Sequence, residues 1–234
     1  MPRKHLIASQ TNKKQQDNAR LWQKLAKEIK AAAKVGGPNP EANPRLKAAI
    51  DRALQANLSR DSINKNINGS TKDDVNLVEV EYEIYGPNGL GIIVHALTDN
   101  TNRVISNLNG YISKLHGNLA KPNSVKINFE QRGIILINKN DYNEEQLFEL
   151  LIDDDIIDIS SDDEGFEIIV APVSYYNVKN RLANSNFEIT HSELKLEPLS
   201  EVTLSEENKE KFNKFIESCE NDDDIQWVVA NNAQ

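Results

Sequence analysis

The sequence holds a single cysteine, Cys219, among its 234 residues, and this scarcity limits the chemistry open to the chain. One cysteine can form neither an internal disulfide nor a thiolate zinc cage. No apolar run approaches the roughly 18 residues of a membrane helix. The start of the chain has only Leu6, Ile7 and Ala8 where a signal peptide needs a longer apolar core. We therefore expect a cytosolic protein that does not contact a membrane.

Residues with catalytic or metal-binding chemistry are few and scattered. The four histidines are His5, His95, His116 and His191. They form no HExxH motif, and His95 lies in an apolar segment where a hydrogen-bonded core histidine is expected. Acidic runs at 153–155, 162–164 and 222–224 lack the alternating spacing of a calcium loop. Cys219 shares a helix face with Phe212 and Phe215, and no serine stands in a G-x-S-x-G elbow. The sequence predicts no enzyme, no catalytic residue, no metal and no cofactor.

Charge is divided unevenly along the chain. Residues 1–72 carry 15 Lys+Arg against 5 Asp+Glu, a net charge of +10, whereas residues 73–234 carry 12 against 31, a net charge of −19. A cationic segment on an acidic body indicates binding of a polyanion, because phosphate contacts depend on local cationic density. The alternative is an ordinary solvated charged surface.

The basic segment has the pattern of three helices. Residues 1–16 lack periodicity and predict a flexible arm, and a helix is expected from Ala19 to Lys34. The face predicted to point inward comprises Leu21, Trp22, Leu25, Ala26, Ile29, Ala32 and Ala33. A basic stripe on the opposite face comprises Arg20, Lys24, Lys27, Lys30 and Lys34. The second and third helices add outward cations at Arg45, Lys47, Arg52 and Arg60.

The glycines between the first two helices indicate a helix stop rather than a phosphate-binding loop. Gly36 and Gly37 precede Pro38 instead of a Gly-Lys-Ser/Thr sequence, and no strand comes before them. Asn43 is an N-cap candidate with a proline at the first helical position, and Ser59 is expected to begin the third helix.

The acidic remainder predicts an α+β fold. Residues 78–85 alternate strictly, so Val78, Val80, Tyr82 and Ile84 are expected on one face and three glutamates on the other. A second strand, a helix capped by Asp99 or Asn100 and a strand over 125–129 follow. From Gly133 the order is βαββαβ, the ferredoxin-like unit. The predicted domains are 1–75, 76–132 with 204–234, and an inserted domain at 133–203.

Several segments together are similar to the YebC/PmpR family, which includes the mitochondrial translational activator of cytochrome oxidase subunit I. They are KLAKEIKAAAKVGG (24–37), NPEANPRLKAAIDRA (39–53), YEIYGPNG (82–89), LTDNTNR (97–103), HGNL (116–119) with SVKINF (124–129), and DDDIQWVVANN (222–232). The resemblance implies a three-helix N-terminal domain followed by two α/β domains, one inserted in the other. It adds Asn102 and Arg103 to the candidate nucleic-acid contacts. The start differs from the family's GHSKW-like opening, and only Lys13 and Lys14 retain part of its basic cluster.

Members of that family resemble nucleic-acid-binding or ribosome-associated factors. The resemblance implies a non-enzymatic, RNA-binding translation factor that helps ribosomes through proline-rich or otherwise stalling sequences, with rRNA as its partner. The alternative is a DNA-binding transcriptional regulator that uses the same stripe. A third hypothesis is an enzyme or metal protein centred on the acidic turns. The sequence leaves the oligomeric state open, with a monomer favoured.

Overall fold

The computed structural model of the protein describes residues 3–70, 76–138, 144–152, 155–162 and 165–233, with side chains from Asn18 onward except that of Glu144. The helices are α1 (Arg3–Gly36), α2 (Pro44–Gln55), α3 (Arg60–Gly69), α4 (Thr101–Leu115), α5 (Glu144–Leu151), α6 (Tyr175–Asn184) and α7 (Glu206–Glu220). The strands are β1 (Val78–Tyr85), β2 (Gly91–Thr98), β3 (Asn118–Leu119), β4 (Phe129–Asn138), β5 (Ile156–Ser161), β6 (Gly165–Val170), β7 (Ile189–Pro198) and β8 (Ile225–Ala230). The predicted α+β class is confirmed. Within the described ranges, no helix is both long enough and apolar enough to cross a membrane.

The first three helices pack on one another. Leu25, Ile29 and Leu46 lie in a shared core with Ile63 and Ile67. The predicted inward face was wrong at its first two positions, because Leu21 and Trp22 remain more than a third exposed. The bundle core begins at Leu25, and the Trp22 indole N–H instead donates to the backbone oxygen of Ala56 at 2.8 Å.

The first helix begins earlier than the sequence predicted. A flexible arm was expected over residues 1–16, but α1 extends from Arg3 as one helix of 34 residues. The segment 3–18 contains no glycine or proline and is rich in Lys and Gln, whose helix propensity is high. The absence of apolar periodicity therefore did not exclude a helix.

The connection between α1 and α2 is fixed by Asn43. Its side-chain oxygen accepts from the backbone N–H of Leu46, as the N-cap prediction required, and its amide donates to the backbone oxygens of Ala32 and Gly37, both at 2.9 Å. A Cβ on Gly36 would lie 2.5 Å from the Asn43 amide nitrogen, so glycine is needed for this approach. The prediction of a helix stop is confirmed, because α1 ends at Gly36.

The first sheet has the order β3-β1-β2-β8 and is covered on one face by α4 and α7. Strand β1 pairs antiparallel with β2, and β2 pairs antiparallel with β8. Apolar side chains from the sheet, including Ile84, Ile92 and Val94, pack against Leu108 of α4 and Phe215 of α7. The last strand of the chain therefore completes the sheet that begins at residue 78.

The second sheet has the order β5-β6-β4-β7, with all neighbours antiparallel. Its elements run β4-α5-β5-β6-α6-β7 along the chain, which with this strand order is the ferredoxin-like arrangement that the sequence predicted. All four strands lie between β3 and β8 in the chain. The domain boundaries themselves remain a prediction.

The strand expected at residues 125–129 was wrong, and Glu83 gives the reason. Lys126–Asn128 form a 3₁₀ turn, and only Phe129 begins a strand. The buried Glu83 carboxylate accepts backbone N–H groups of Asn123, Val125 and Lys126, the last two at 2.6 and 2.9 Å, so these donors are not open to a strand partner. Burial alone would raise the pKa of Glu83, but these three bonds hold it below its ordinary value.

Candidate nucleic-acid interface

The N-terminal half of the basic stripe contacts the loop between α7 and β8. Lys24 Nζ donates to the backbone oxygen of Glu220 at 3.0 Å, and the Arg20 guanidinium donates to the Asn221 side chain. Burial lowers the pKa of Lys24, while the acidic groups of this loop oppose the shift. These cations were predicted to face nucleic acid, but in the structure they hold the helical bundle against the acidic body.

Asp224 is the centre of this junction. Its carboxylate is almost fully buried and lies 2.7 Å from Lys27 Nζ and 2.8 Å from Arg103 Nε. Arg103 also contacts Asp99 at 2.7 Å. Burial opposes the charge on Asp224, but Lys27 and Arg103 hold its pKa below the ordinary value. Two side chains predicted to bind phosphate thus neutralise one internal carboxylate.

The C-terminal half of the stripe borders a groove between α1 and α3. Lys27, Lys30 and Lys34 line this groove, which has a volume of about 450 Å³. Its other lining residues are Gln23, Ala26, Ala31 and Val35 of α1, Asn66 of α3, and Ser70, Asn76 and Leu77. We call this feature the lysine groove. Its lysines recur at intervals of three and four residues, so they share one helix face. Lysine ammonium groups over a mixed amide and apolar floor can contact phosphates while a base or sugar lies beneath.

The cations of α2 are placed around the bundle rather than in one row. Arg45 pairs with Glu79 at the start of β1, Arg52 pairs with Glu28 of α1, and Lys47 lies 3.4 Å from Glu41. The remaining predicted residues lie apart from the lysine groove or outside the described side chains. Arg60 is exposed at the first position of α3, Asn102 is exposed beside Arg103 on α4, and the side chains of Lys13 and Lys14 lie outside the described residues.

Sequence reasoning missed the acidic partner of the stripe. The run Asp222-Asp223-Asp224 was interpreted as solvated charge, yet Asp222 and Asp224 are both buried. Asp222 accepts from Asn107 at 3.0 Å and from the Tyr111 hydroxyl at 3.3 Å. The sequence did contain a signal for this contact, because a long cationic stripe and an acidic run within one chain can form ion pairs with each other.

The side chains that could take part in catalysis lie mainly in packed positions. Burial raises the pKa of the Cys219 thiol to about 12 and keeps it protonated. His95 stacks on Trp227 with ring centroids 4.8 Å apart, and burial lowers its pKa. Its Nδ1 has no hydrogen-bond partner among the described residues, so the expected hydrogen-bonded core histidine is instead held by stacking. No group of three potential metal ligands occurs in the described part of the chain. The acidic residues at 153–154 and 163–164 lie outside it.

Two family models match nearly the whole chain. The TACO1/YebC protein N-terminal domain matches residues 2–73, and the TACO1/YebC second and third domain matches residues 77–232.

Relatives and a solved structure agree with these matches. A protein of Mycoplasmoides gallisepticum is 68% identical over 233 residues, which cover 99% of this chain and all of the relative. A protein of Mycoplasma pneumoniae is 56% identical and is covered to 99% in both chains. Both are named probable transcriptional regulatory proteins. The crystal structure of a conserved hypothetical protein from Aquifex aeolicus superposes with a TM-score of 0.76 at 34% identity, covering 92% of this chain and 90% of that one.

Proposed function

Because this chain belongs to the TACO1/YebC family, we propose that it is a non-enzymatic cytoplasmic factor that binds structured RNA on the ribosome and promotes translation of proline-rich or otherwise stalling sequences. The lysine groove is the site that we assign to the RNA backbone. The acidic α/β body then faces ribosomal protein or the functional centre of the ribosome.

The observation that carries the proposal is the lysine groove on a segment of net charge +10. Lys27, Lys30 and Lys34 line one groove, while the remainder of the chain has a net charge of −19 and repels a phosphate backbone. Lys27 also pairs with Asp224 at the junction, whereas Lys30 and Lys34 continue the lysine face toward the end of α1. The ribosomal part of the proposal is supported by the family resemblance.

A DNA-binding transcriptional regulator is the second candidate, and the names of the relatives favour it. The phosphate-binding step is the same for both ligands, so the lysine groove cannot separate them. The two candidates differ in where the protein is found, which makes localisation on ribosomes or on promoter DNA the deciding measurement.

The experiment compares ribosome co-sedimentation of the wild type with the variant Lys30→Glu/Lys34→Glu. We expect the variant to lose most of its ribosome association, and its melting temperature is measured alongside to show that the loss does not come from unfolding. Lys24 and Lys27 are unsuitable for this test, because reversing either charge would also break the junction with the α7–β8 loop.

Lys214→Glu is the matched control. Lys214 is an exposed cation of α7 that pairs with Glu210, away from the lysine groove, and its reversal should leave co-sedimentation unchanged. Equal co-sedimentation of the groove variant and the wild type would contradict the proposed site. Enrichment of the wild type on promoter DNA with none on ribosomes would favour the regulator.

A further inference from the structure

A second cleft lies between the helical bundle and the inserted sheet. It has a volume of about 180 Å³ and separates α2 from α6 and β7. Its polar and aromatic lining residues are Asp51, Arg52 and Gln55 of α2, Tyr175, Tyr176 and Lys179 of α6, and Ser192 and Glu193 of β7. We call it the tyrosine cleft. It is separate from the lysine groove, with no lining residue in common.

Two neighbouring tyrosines give this cleft a rigid aromatic wall. Tyr175 is buried, and a Cβ on Gly133 would come within 2.6 Å of its ring, so the ring is closely packed against β4. Tyr176 packs edge to face on Tyr175, with centroids 5.0 Å apart and an interplanar angle of 74°, yet 47% of its surface remains exposed. An exposed ring that is already held in place loses little conformational freedom when a flat ligand stacks on it.

Two cations line the cleft together with these rings. Lys179 Nζ lies 3.8 Å from Asp51 and 6.0 Å from the centroid of Tyr175. Arg52, on the opposite wall, is about half exposed and pairs with Glu28 of α1. Aromatic rings in the same cleft as cations are the composition with which proteins bind single-stranded nucleic acid, because a base stacks on a ring while its phosphates contact positive charge.

The remaining polar groups suit the edge of a base. Gln55 carries both an amide donor and an acceptor, and Glu193 carries an acceptor, so hydrogen bonds to exocyclic amino and carbonyl groups are available.

The tyrosine cleft is also connected to the lysine groove through helix α1. Glu28, the partner of Arg52, directly follows Lys27, so one ion pair links the rim of the cleft to the helix that lines the groove.

We propose that the tyrosine cleft receives one unpaired base of the bound RNA, stacked on Tyr176, with the flanking phosphates near Arg52 and Lys179. This site rests on the proposed function and makes it more specific. Bases inside a duplex stay stacked on each other and cannot enter the cleft. The protein therefore prefers RNA with an unpaired, accessible base next to a backbone that the lysine groove can hold.

The test measures binding of the full chain to three RNA probes of one length by fluorescence anisotropy. The probes are a single-stranded oligonucleotide, the same strand with abasic central positions, and its duplex. Stacking of one base on an aromatic side chain corresponds to roughly 5- to 150-fold in affinity. We expect the wild type to prefer the base-containing strand over the abasic strand by a factor in this range.

The variant Tyr176→Ala should bind the two single strands equally, and Tyr176→Phe should keep the preference, because stacking requires the ring and not the hydroxyl. Phe148→Ala is the matched control. Phe148 is a 50% exposed aromatic residue of α5 in the same inserted unit but outside the cleft, and its removal should change nothing. A strand carrying 4-thiouridine should in addition crosslink to a peptide that contains Tyr176.

Two results overturn the subsite while leaving the proposed function intact. One is salt-dependent RNA binding by the wild type without a preference for the base-containing strand. The other is a preference that Tyr176→Ala retains. Failure of the wild type to bind any of the three probes would refute the proposed function and the subsite together.

Discussion

Replacing Asp224 by asparagine removes one buried charge from the junction between the helical bundle and the acidic body. Asparagine keeps the shape of the side chain, so the change isolates the charge that Lys27 and Arg103 share. Breaking a fully buried ion pair costs about 3–5 kcal/mol. Here the remaining cations are 23% and 46% exposed and can be rehydrated, so we expect a smaller loss of about 2 kcal/mol in the free energy of unfolding.

Urea denaturation at neutral pH, with a thermal scan alongside, measures this loss. For a chain of this size, about 2 kcal/mol corresponds to a fall of about 4–8 °C in melting temperature. The double variant Lys27→Met/Asp224→Asn should lose less free energy of unfolding than the two single variants lose together. We expect the difference, which is the coupling energy of the pair, to be about 1 kcal/mol.

The matched control for this prediction is Glu210→Gln. Glu210 and Lys214 form an ion pair of 2.7 Å on the surface of α7, with side chains 71% and 68% exposed, and its loss should leave the free energy of unfolding nearly unchanged. Similar stabilities for Asp224→Asn and Glu210→Gln would refute the reasoning, because the junction would then contribute no more than a solvated pair.

Three further predictions follow from the same structure. Asn43→Ala removes the N-cap of α2 and two hydrogen bonds to the end of α1, so it should lower the free energy of unfolding by about 2 kcal/mol in urea denaturation, and an unchanged midpoint would contradict this. The pKa values of Glu83 and Asp224 lie below their ordinary values, so the stability that these groups supply is present above about pH 4 and is lost as the pH falls towards their folded pKa values. Melting temperatures measured from pH 6 to pH 3 should therefore fall less steeply for Glu83→Gln than for the wild type, and parallel curves would show that Glu83 is not the group responsible. If the lysine groove and its surroundings neutralise about six phosphates, the logarithm of the RNA affinity should fall with the logarithm of salt concentration with a slope of roughly −4, and a slope near zero would exclude electrostatic binding.

Local signals in the sequence were sufficient for most of the fold. Asn43 caps α2 as expected, α3 begins directly after Ser59, and the ferredoxin-like order follows from strands and helices whose apolar periodicity is clear. These features depend on residues within one or two turns of each other, which is the range over which a sequence pattern is informative. The start of α1 was missed because residues 3–16 show no apolar period in the sequence.

The candidate site was less predictable, because its contacts join residues far apart in the chain. The cationic face of α1 could be located by periodicity, but nothing local shows that Lys24 and Lys27 meet the backbone and side chains of residues 220–224. The same holds for Glu83, whose strict alternation with apolar neighbours indicated exposure although it is buried by a turn about 40 residues later. A pattern gives the face of an element, whereas the partner of that face is decided by tertiary packing.

A crosslinking map of the nucleic acid bound to the protein in living cells would show whether RNA is its ligand and the lysine groove its site. We expect crosslinks concentrated at one rRNA site, formed by peptides of the helical bundle and lost in Lys30→Glu/Lys34→Glu. Crosslinks concentrated on promoter DNA, or rRNA crosslinks that the charge-reversed variant retains in full, would contradict this expectation.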